Sequence, residues 1–314
     1  MELTVSEEYL TKFCKVNSLS VGIDDSLWIG SGKVHKGFFT LLFASSKALQ
    51  KVRLKGNKMK VIEGFNIEVK ETALSPFNDL LIVSYTSRLK QVMRGSGKIS
   101  DSKYCVEPLV PLCVHFTKDN KVLIGAVEDL FIDLYNMHVP DLSILSGRRA
   151  IFIMDIDGNH LDVVESDNVN KPLFIYPRHI TTCSETIFVV DLYCKAVGGR
   201  VVILDSDKSV KAIYTGNPEV RYRFPFTPYH VASTASESVI VSDFLGHALH
   251  LLNKCGQLVT YFDTLMIGIQ YPTTLAITTT EQYHILYMGN GDFFDDSKTK
   301  AQIYAFQLSL ESQK

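Results

Sequence analysis

The stretch PYHVASTASESVIVSDFLGHALHLLNKCGQLVTYF, running from Pro228 to Phe262, decides the fold. It opens on a proline, an apolar strand around Val231, a polar turn and the strand SVIVSD. A short loop then leads to the strand ALHLL, the turn NKCGQ and the strand LVTYF. Short runs of β-branched and aromatic residues closed by Gly, Asn, Asp or Ser read as strands joined by turns. The segment from Pro177 to Gly216 keeps the same order: P-x-H-[IV], a polar turn, TIFVVD, a loop, RVVIL, the turn DSDKS and VKAIY. Further units open at Pro111 (PLCVHFTKDNKVLIGAV, resumed by RRAIFIMDIDGNHLDVVE) and at Pro272 (PTTLAITTTEQYHILYMGNGD, resumed by AQIYAFQLSL). The last three prolines lie 51 and 44 residues apart, and the interval of 66 before them falls to about 45 without the loop Val127–Gly147. A period of about 40 to 50 residues with four strands per unit is that of a propeller blade.

Two more worn units, 19–54 and 69–106, keep the strand order without the leading proline. With 111–164, 177–214, 228–262 and 272–310 they make six. The last unit supplies only three strands, and YLTKFCKV, Tyr9–Val16, is left over to complete it from outside. The sequence therefore predicts one all-β domain over 1–314. It is a six-bladed β-propeller of four-stranded antiparallel blades whose N-terminal strand closes the last blade and removes the open seam.

Composition agrees. Apolar residues make up 46% and charged residues 21%, as in a globular chain. A net charge of −2 gives no overall basic field to draw nucleic acid or an anionic membrane. The N-terminus MELTVSEEYL lacks the basic and apolar regions of a signal peptide, and no apolar run is long enough to span a bilayer. The six cysteines are scattered with no CxxC pair. Their even number allows disulfides, but free thiols in a reducing, cytoplasmic setting are the expectation.

With the blades laid out, the sequence resembles NHL-repeat propellers. The resemblance rests on the P-x-x-[VI] openings, the VSD, VVD or IGA ending the second strand, a basic residue near the third and a D-x-D-G-like turn. More narrowly it resembles the C-terminal propellers of tripartite-motif-like and B-box proteins of the invertebrate type. That resemblance implies a target-binding module. No RING or B-box Cys/His array is present, so any ligase activity of such proteins is not carried here, and a monomer is expected.

Candidate residues fall in two places. Asp243 aligns with Asp191, and His247 falls near the positions of Arg149 and Arg200; such pairs suit bracing within a loop. His247 and His250, three apart on a strand, face opposite ways. His179 and His230 each stand two residues after a blade-opening proline, with Cys113 and Thr274 at the matching places. Strand a lines the channel of a propeller, so these histidines are channel candidates. Propeller hydrolases and lactonases hold calcium there through Asp, Glu and Asn, and the strands LSVGI, CVHF, HITT, HVAST and TLAIT carry almost none. No G-x-S-x-G elbow, H-E-x-x-H motif or phosphate loop is present either. No catalytic residue, metal or cofactor is expected.

The second place is the face that gathers the loops from strand b to c and from d to the next a. Lys33, Lys36, Arg88, Arg148, Arg149, Lys195, Arg200, His247, Lys298 and Lys300 lie in or beside its b–c loops. Before the fifth blade, PEVRYRFPFTP interleaves Arg221 and Arg223 with Tyr222, Phe224 and Phe226. Aromatics beside arginines suit peptide anchoring or base stacking. The insertion 127–147 is apolar enough to join that face. The leading expectation is a non-enzymatic module that binds a protein or peptide. Single-stranded RNA on the same face is the alternative, and a propeller hydrolase or lactonase the weaker one.

Overall fold

The structure, a computed structural model, describes residues 3–31, 48–128, 147–193, 198–218, 220, 224–279, 284–291 and 300–308. Among them, strands form six four-stranded antiparallel sheets, each running inner to outer as strands a to d. The a strands are β2 (Ser18–Val21), β6 (Glu71–Leu74), β10 (Val110–Phe116), β14 (Pro177–Cys183), β18 (Pro228–Ser233) and β22 (Pro272–Thr279). Adjacent a strands contact one another around the ring, β22 returning to β2. The six-bladed, all-β propeller read from the repeat is the fold. No helix among the described residues is long and apolar enough to cross a membrane.

The core lies between blades. Inner strands bury both faces, as in β15 (Thr186–Leu192), where Phe188 and Val190 pack toward the fifth blade with Val231, Val239 and Val241. Outer strands alternate, as in β21 (Leu258–Asp263), whose pattern is half-buried then exposed along its length. That gradient is why inner strands read as continuous apolar runs and outer ones as polar alternation.

Two elements differ from the sequence reading. The strand closing the sixth blade is β1 (Leu3–Leu10), paired with β24 (Gln302–Leu308), rather than 9–16. Leu3 and Tyr9 are buried and Val5 and Glu7 half-buried, while Thr4, Ser6, Glu8 and Leu10 are exposed, a period-two pattern masked by its polar composition. The run after Tyr9 instead tucks Phe13 and Val16 between the sixth and first blades. The first blade also extends past Leu54, because its outer strand is β5 (Lys58–Phe65), and the apolar run at 37–43 lies outside the described residues.

Four blades open on proline for a structural reason. Pro177, Pro228 and Pro272 start strand a and Pro111 stands second in it, next to the bulge, where a missing N–H is tolerated. Immediately after each, the pairing slips by one residue, so Leu112, Arg178, Tyr229 and Thr273 are extra residues in a bulge. A bulge re-aims the side chains that follow it. Here the next residues are Cys113, His179, His230 and Thr274.

Candidate functional site

Register identifies the equivalent channel position in all six blades. Ser18 pairs with Gly30, Glu71 with Val83, Cys113 with Gly125, His179 with Val190, His230 with Ser242 and Thr274 with Gly289. All six are buried. Ser18 and Glu71 are the members that sequence reading missed, because their blades have no leading proline and show no bulge.

These positions converge. The Oε1 of Glu71 accepts hydrogen bonds from the Ser18 hydroxyl at 2.9 Å and the Thr72 amide at 3.0 Å. Its Oε2 accepts none and lies 3.4 Å from Nε2 of His179 and 3.7 Å from Nε2 of His230. The two imidazoles lie against each other with ring centroids 3.4 Å apart and planes tilted by 34°. Both nitrogens of His230 and the Thr274 hydroxyl are buried without a hydrogen-bond partner. His179 Nδ1 accepts from the Val231 amide over 3.5 Å. Cys113 turns its thiol to the Pro177 carbonyl, 3.4 Å away. Buried polar atoms are ordinarily satisfied, so a cluster of unsatisfied ones marks a site rather than a core.

Electrostatics follow from burial. Loss of water pushes the Glu71 carboxyl up to about 7, against the pull of Arg178 and its hydrogen bonds from Thr72 and Ser18. Burial holds His179 and His230 well below the usual imidazole range, helped at His179 by its neighbour His230 and at His230 by Arg178. Burial also pushes the Cys113 thiol up to about 12, so it stays protonated. At the proline-side end of the ring, the Arg178 guanidinium lies 3.9 Å from Glu71 Oε2 and 4.6 Å from the centre of the Tyr229 ring. Lys15 donates to the Tyr229 hydroxyl at 2.8 Å. Burial alone would raise that phenol, but Lys15 and Arg178 outweigh it and bring it down to about 8.

Toward the other end of the a strands the ring floors a cavity of about 230 Å³. Its walls below Glu71, His179 and His230 include Ser20, Ala73, His115, Thr181 and Ala232. The His115 Nε2 lies 2.9 Å from the Thr182 hydroxyl, and burial lowers the ring to about 4. A histidine at about 4 when folded and about 6.5 when unfolded gives stability that is complete above pH 6.5 and is lost as pH falls toward 4. At about 1.36 kcal/mol per pH unit this is worth about 3 kcal/mol in full, and about 2 kcal/mol of it is gone by about pH 5. His115→Gln is expected to flatten the fall in unfolding free energy between pH 7 and 5 by that amount. Urea titrations at the two pH values check it.

The loop-face candidates lie apart from this centre. Arg200 donates from Nε to Asp191 at 2.9 Å and from its guanidinium to the Leu173 carbonyl at 2.7 Å. Arg149 donates to the Gly147 carbonyl at 3.0 Å, Arg148 pairs with Glu165, and Arg88 bonds the Ser102 carbonyl at 3.2 Å. His247 accepts from the Tyr271 amide at 3.0 Å and packs on the Tyr271 ring. His250 faces the other way, buried between Tyr214, whose hydroxyl is 2.7 Å from its Nδ1, and Asp243. Phe224 is exposed, Phe226 is buried against Tyr214, and Lys300 lines a second cavity between strands of the sixth blade and the turn at Gly268. Lys33, Lys36, Lys195, Arg221, Tyr222, Arg223, Lys298 and nearly all of the insertion lie outside the described residues.

No family model matches the sequence, and no curated protein matches it. The fold is shared with solved structures. A luciferin-regenerating enzyme superposes with a TM-score of 0.63 at 12% identity, over 94% of this chain and 92% of that one. A gluconolactonase from Xanthomonas campestris gives 0.61 at 9% identity, over 95% and 88%. The calcium-binding protein regucalcin from Agrobacterium tumefaciens gives 0.57 at 12% identity, over 97% and 95%. Identities this low carry the fold alone.

The expectation of a non-enzymatic recognition module does not stand against these likenesses. Propellers that match this one over nearly their whole length are named as enzymes. The ground for setting catalysis aside was a channel without carboxylates, and Glu71 removes it. Regucalcin is named as a calcium-binding protein. Calcium takes six to eight oxygen ligands. This ring offers one free carboxylate oxygen and the Thr274 hydroxyl beside two imidazoles, so its donors do not fit calcium.

Proposed function

We propose that the chain is a propeller hydrolase that opens small lactones or related esters at the channel centre of Glu71, His179 and His230. The observation that carries this reading is the set of unpartnered polar atoms, Glu71 Oε2 and both His230 nitrogens, at the floor of a cavity of about 230 Å³. The cavity suits a substrate of few heavy atoms. Hydrolysis needs a water activated beside the acyl carbon, a hydrogen-bond donor for the charge that develops on the carbonyl oxygen, and a proton for the departing alkoxide. Glu71 and the two imidazoles are the groups for the first task. Arg178, 3.9 Å from Glu71 Oε2 on the proline side of the ring, does not line the cavity and acts on the centre through Glu71. Hydrogen-bond donors for the other two tasks line the cavity itself, among them the Ser20 and Thr181 hydroxyls. In the reaction the water oxygen bonds to the acyl carbon, the ring C–O bond breaks, and the proton passes to the released hydroxyl.

The reading draws on named lactonase and enzyme neighbours for its reaction class, and on this chain's own residues for its site. The NHL-repeat resemblance of the blade openings accounts for the P-x-H pattern but supplies none of this chemistry. A panel of four- to six-membered lactones and simple aryl esters, followed by pH-stat or chromophore release, tests it. Turnover above buffer is expected for at least one lactone and is lost in Glu71→Gln with retained fold. Absence of turnover across the panel overturns it.

A further inference from the structure

We infer that Glu71, His179 and His230 hold a zinc-class divalent transition metal ion, with one coordination position left open to the cavity. The inference rests on the channel being the reacting centre and names what makes the water reactive there. One oxygen of Glu71 and one nitrogen of each histidine lie within 4.8 Å of one another, all three residues buried. The separations from Glu71 Oε2 are 3.4 and 3.7 Å. A tetrahedral ion with bonds of about 2.0–2.1 Å spaces its ligands by about 3.3–3.4 Å along each edge, so the donors already stand near the edges of such a site. Two imidazoles and one carboxylate are the ligand set of hydrolytic zinc centres that keep a fourth position for water.

The second shell is also present. Ser18 and the Thr72 amide hold Glu71 through Oε1, which leaves Oε2 aimed at the histidines. Such outer partners orient a metal ligand and fix which atom it offers. Binding requires His179 to carry its proton on Nδ1, which gives up the contact from the Val231 amide. At 3.5 Å that contact is at the limit of a hydrogen bond. Cys113 shares the ring position but points its thiol to a backbone carbonyl, so it is a control rather than a fourth ligand.

The test titrates the full chain, stripped with a chelator and dialysed, with Co²⁺, Zn²⁺ and Ca²⁺. Calorimetry reads stoichiometry and the visible absorption of Co²⁺ reads coordination number. Expected are one Co²⁺ or Zn²⁺ per chain, a four- or five-coordinate cobalt spectrum, and no saturable Ca²⁺ binding. Glu71→Gln and His230→Ala should each weaken Co²⁺ binding by at least about 100-fold, while Cys113→Ala leaves it unchanged. Circular dichroism confirms that the variants are folded, and if His230→Ala is not, Glu71→Gln alone decides. Overturning results are no saturable Co²⁺ or Zn²⁺ binding, binding indifferent to Glu71→Gln, or tighter binding of Ca²⁺. Cobalt bound without lactone turnover supports the ion and sinks the hydrolase. Lactone turnover unchanged by chelation, in a chain that binds no Co²⁺, overturns the ion and leaves the hydrolase standing.

Discussion

Glu71→Gln is expected to lower kcat/KM for lactone opening by about 10²- to 10⁴-fold in a chain that still unfolds cooperatively, a loss typical of removing the water-activating group of a hydrolytic centre. The substitution keeps the shape and the acceptor that Ser18 and Thr72 bond through Oε1. It removes only the negative charge opposite His179, His230 and Arg178. Burial already opposes that charge, so a neutral amide is tolerated by the fold. Initial rates across lactone concentrations and a melting curve check both halves. A variant with unchanged kcat/KM would remove Glu71 from the reaction altogether.

Arg200→Ala is expected to destabilise the protein by about 3–5 kcal/mol, the range for leaving one partner of a buried ion pair uncompensated. Asp191 is fully buried, with one carboxylate oxygen accepting from the Ile175 and Tyr176 amides at 2.8 and 2.7 Å and the other facing Arg200. Removing the guanidinium strands that charge and also frees the Leu173 carbonyl. Asp191→Asn combined with Arg200→Met should recover part of the loss, since neither remaining group then carries charge. Chemical denaturation of the single and double variants measures it. A loss below about 0.5 kcal/mol for Arg200→Ala would mean that Arg200 is a surface cation and not a brace.

The repeat made the fold legible because blade architecture is written in spacing. Pro177, Pro228 and Pro272 mark strand starts, and continuous apolar runs such as TIFVVD mark inner strands that bury both faces. The same proline marker found His179 and His230, since the bulge that follows it turns the next residue into the channel. It hid Glu71 for the same reason: the second blade enters strand a without proline or bulge. The available signal was across the hairpin, where LLIVS matches IFVVD and places Val83 with Val190. Counting back from there reaches Glu71. The loop-face residues could not be weighed by charge alone. Arg200 pairs with Asp191, opposite it in the same hairpin, which is the within-loop brace that the sequence suggested, whereas its second partner, the Leu173 carbonyl, and the Tyr271 amide that bonds His247 come from other segments.

The closing strand also sets an order of events in the making of the molecule. Each inner blade is built from hairpins whose partners are neighbours in sequence, so it can pair as soon as it leaves the ribosome. The sixth cannot. The Ser6 hydroxyl reaches the Ala305 carbonyl across 299 residues, and β1 has no partner until β24 has been synthesised. Through most of translation the first strand therefore waits unpaired, and its acidic residues, half-buried Glu7 and exposed Glu8, are suited to keeping that waiting edge from pairing with another chain.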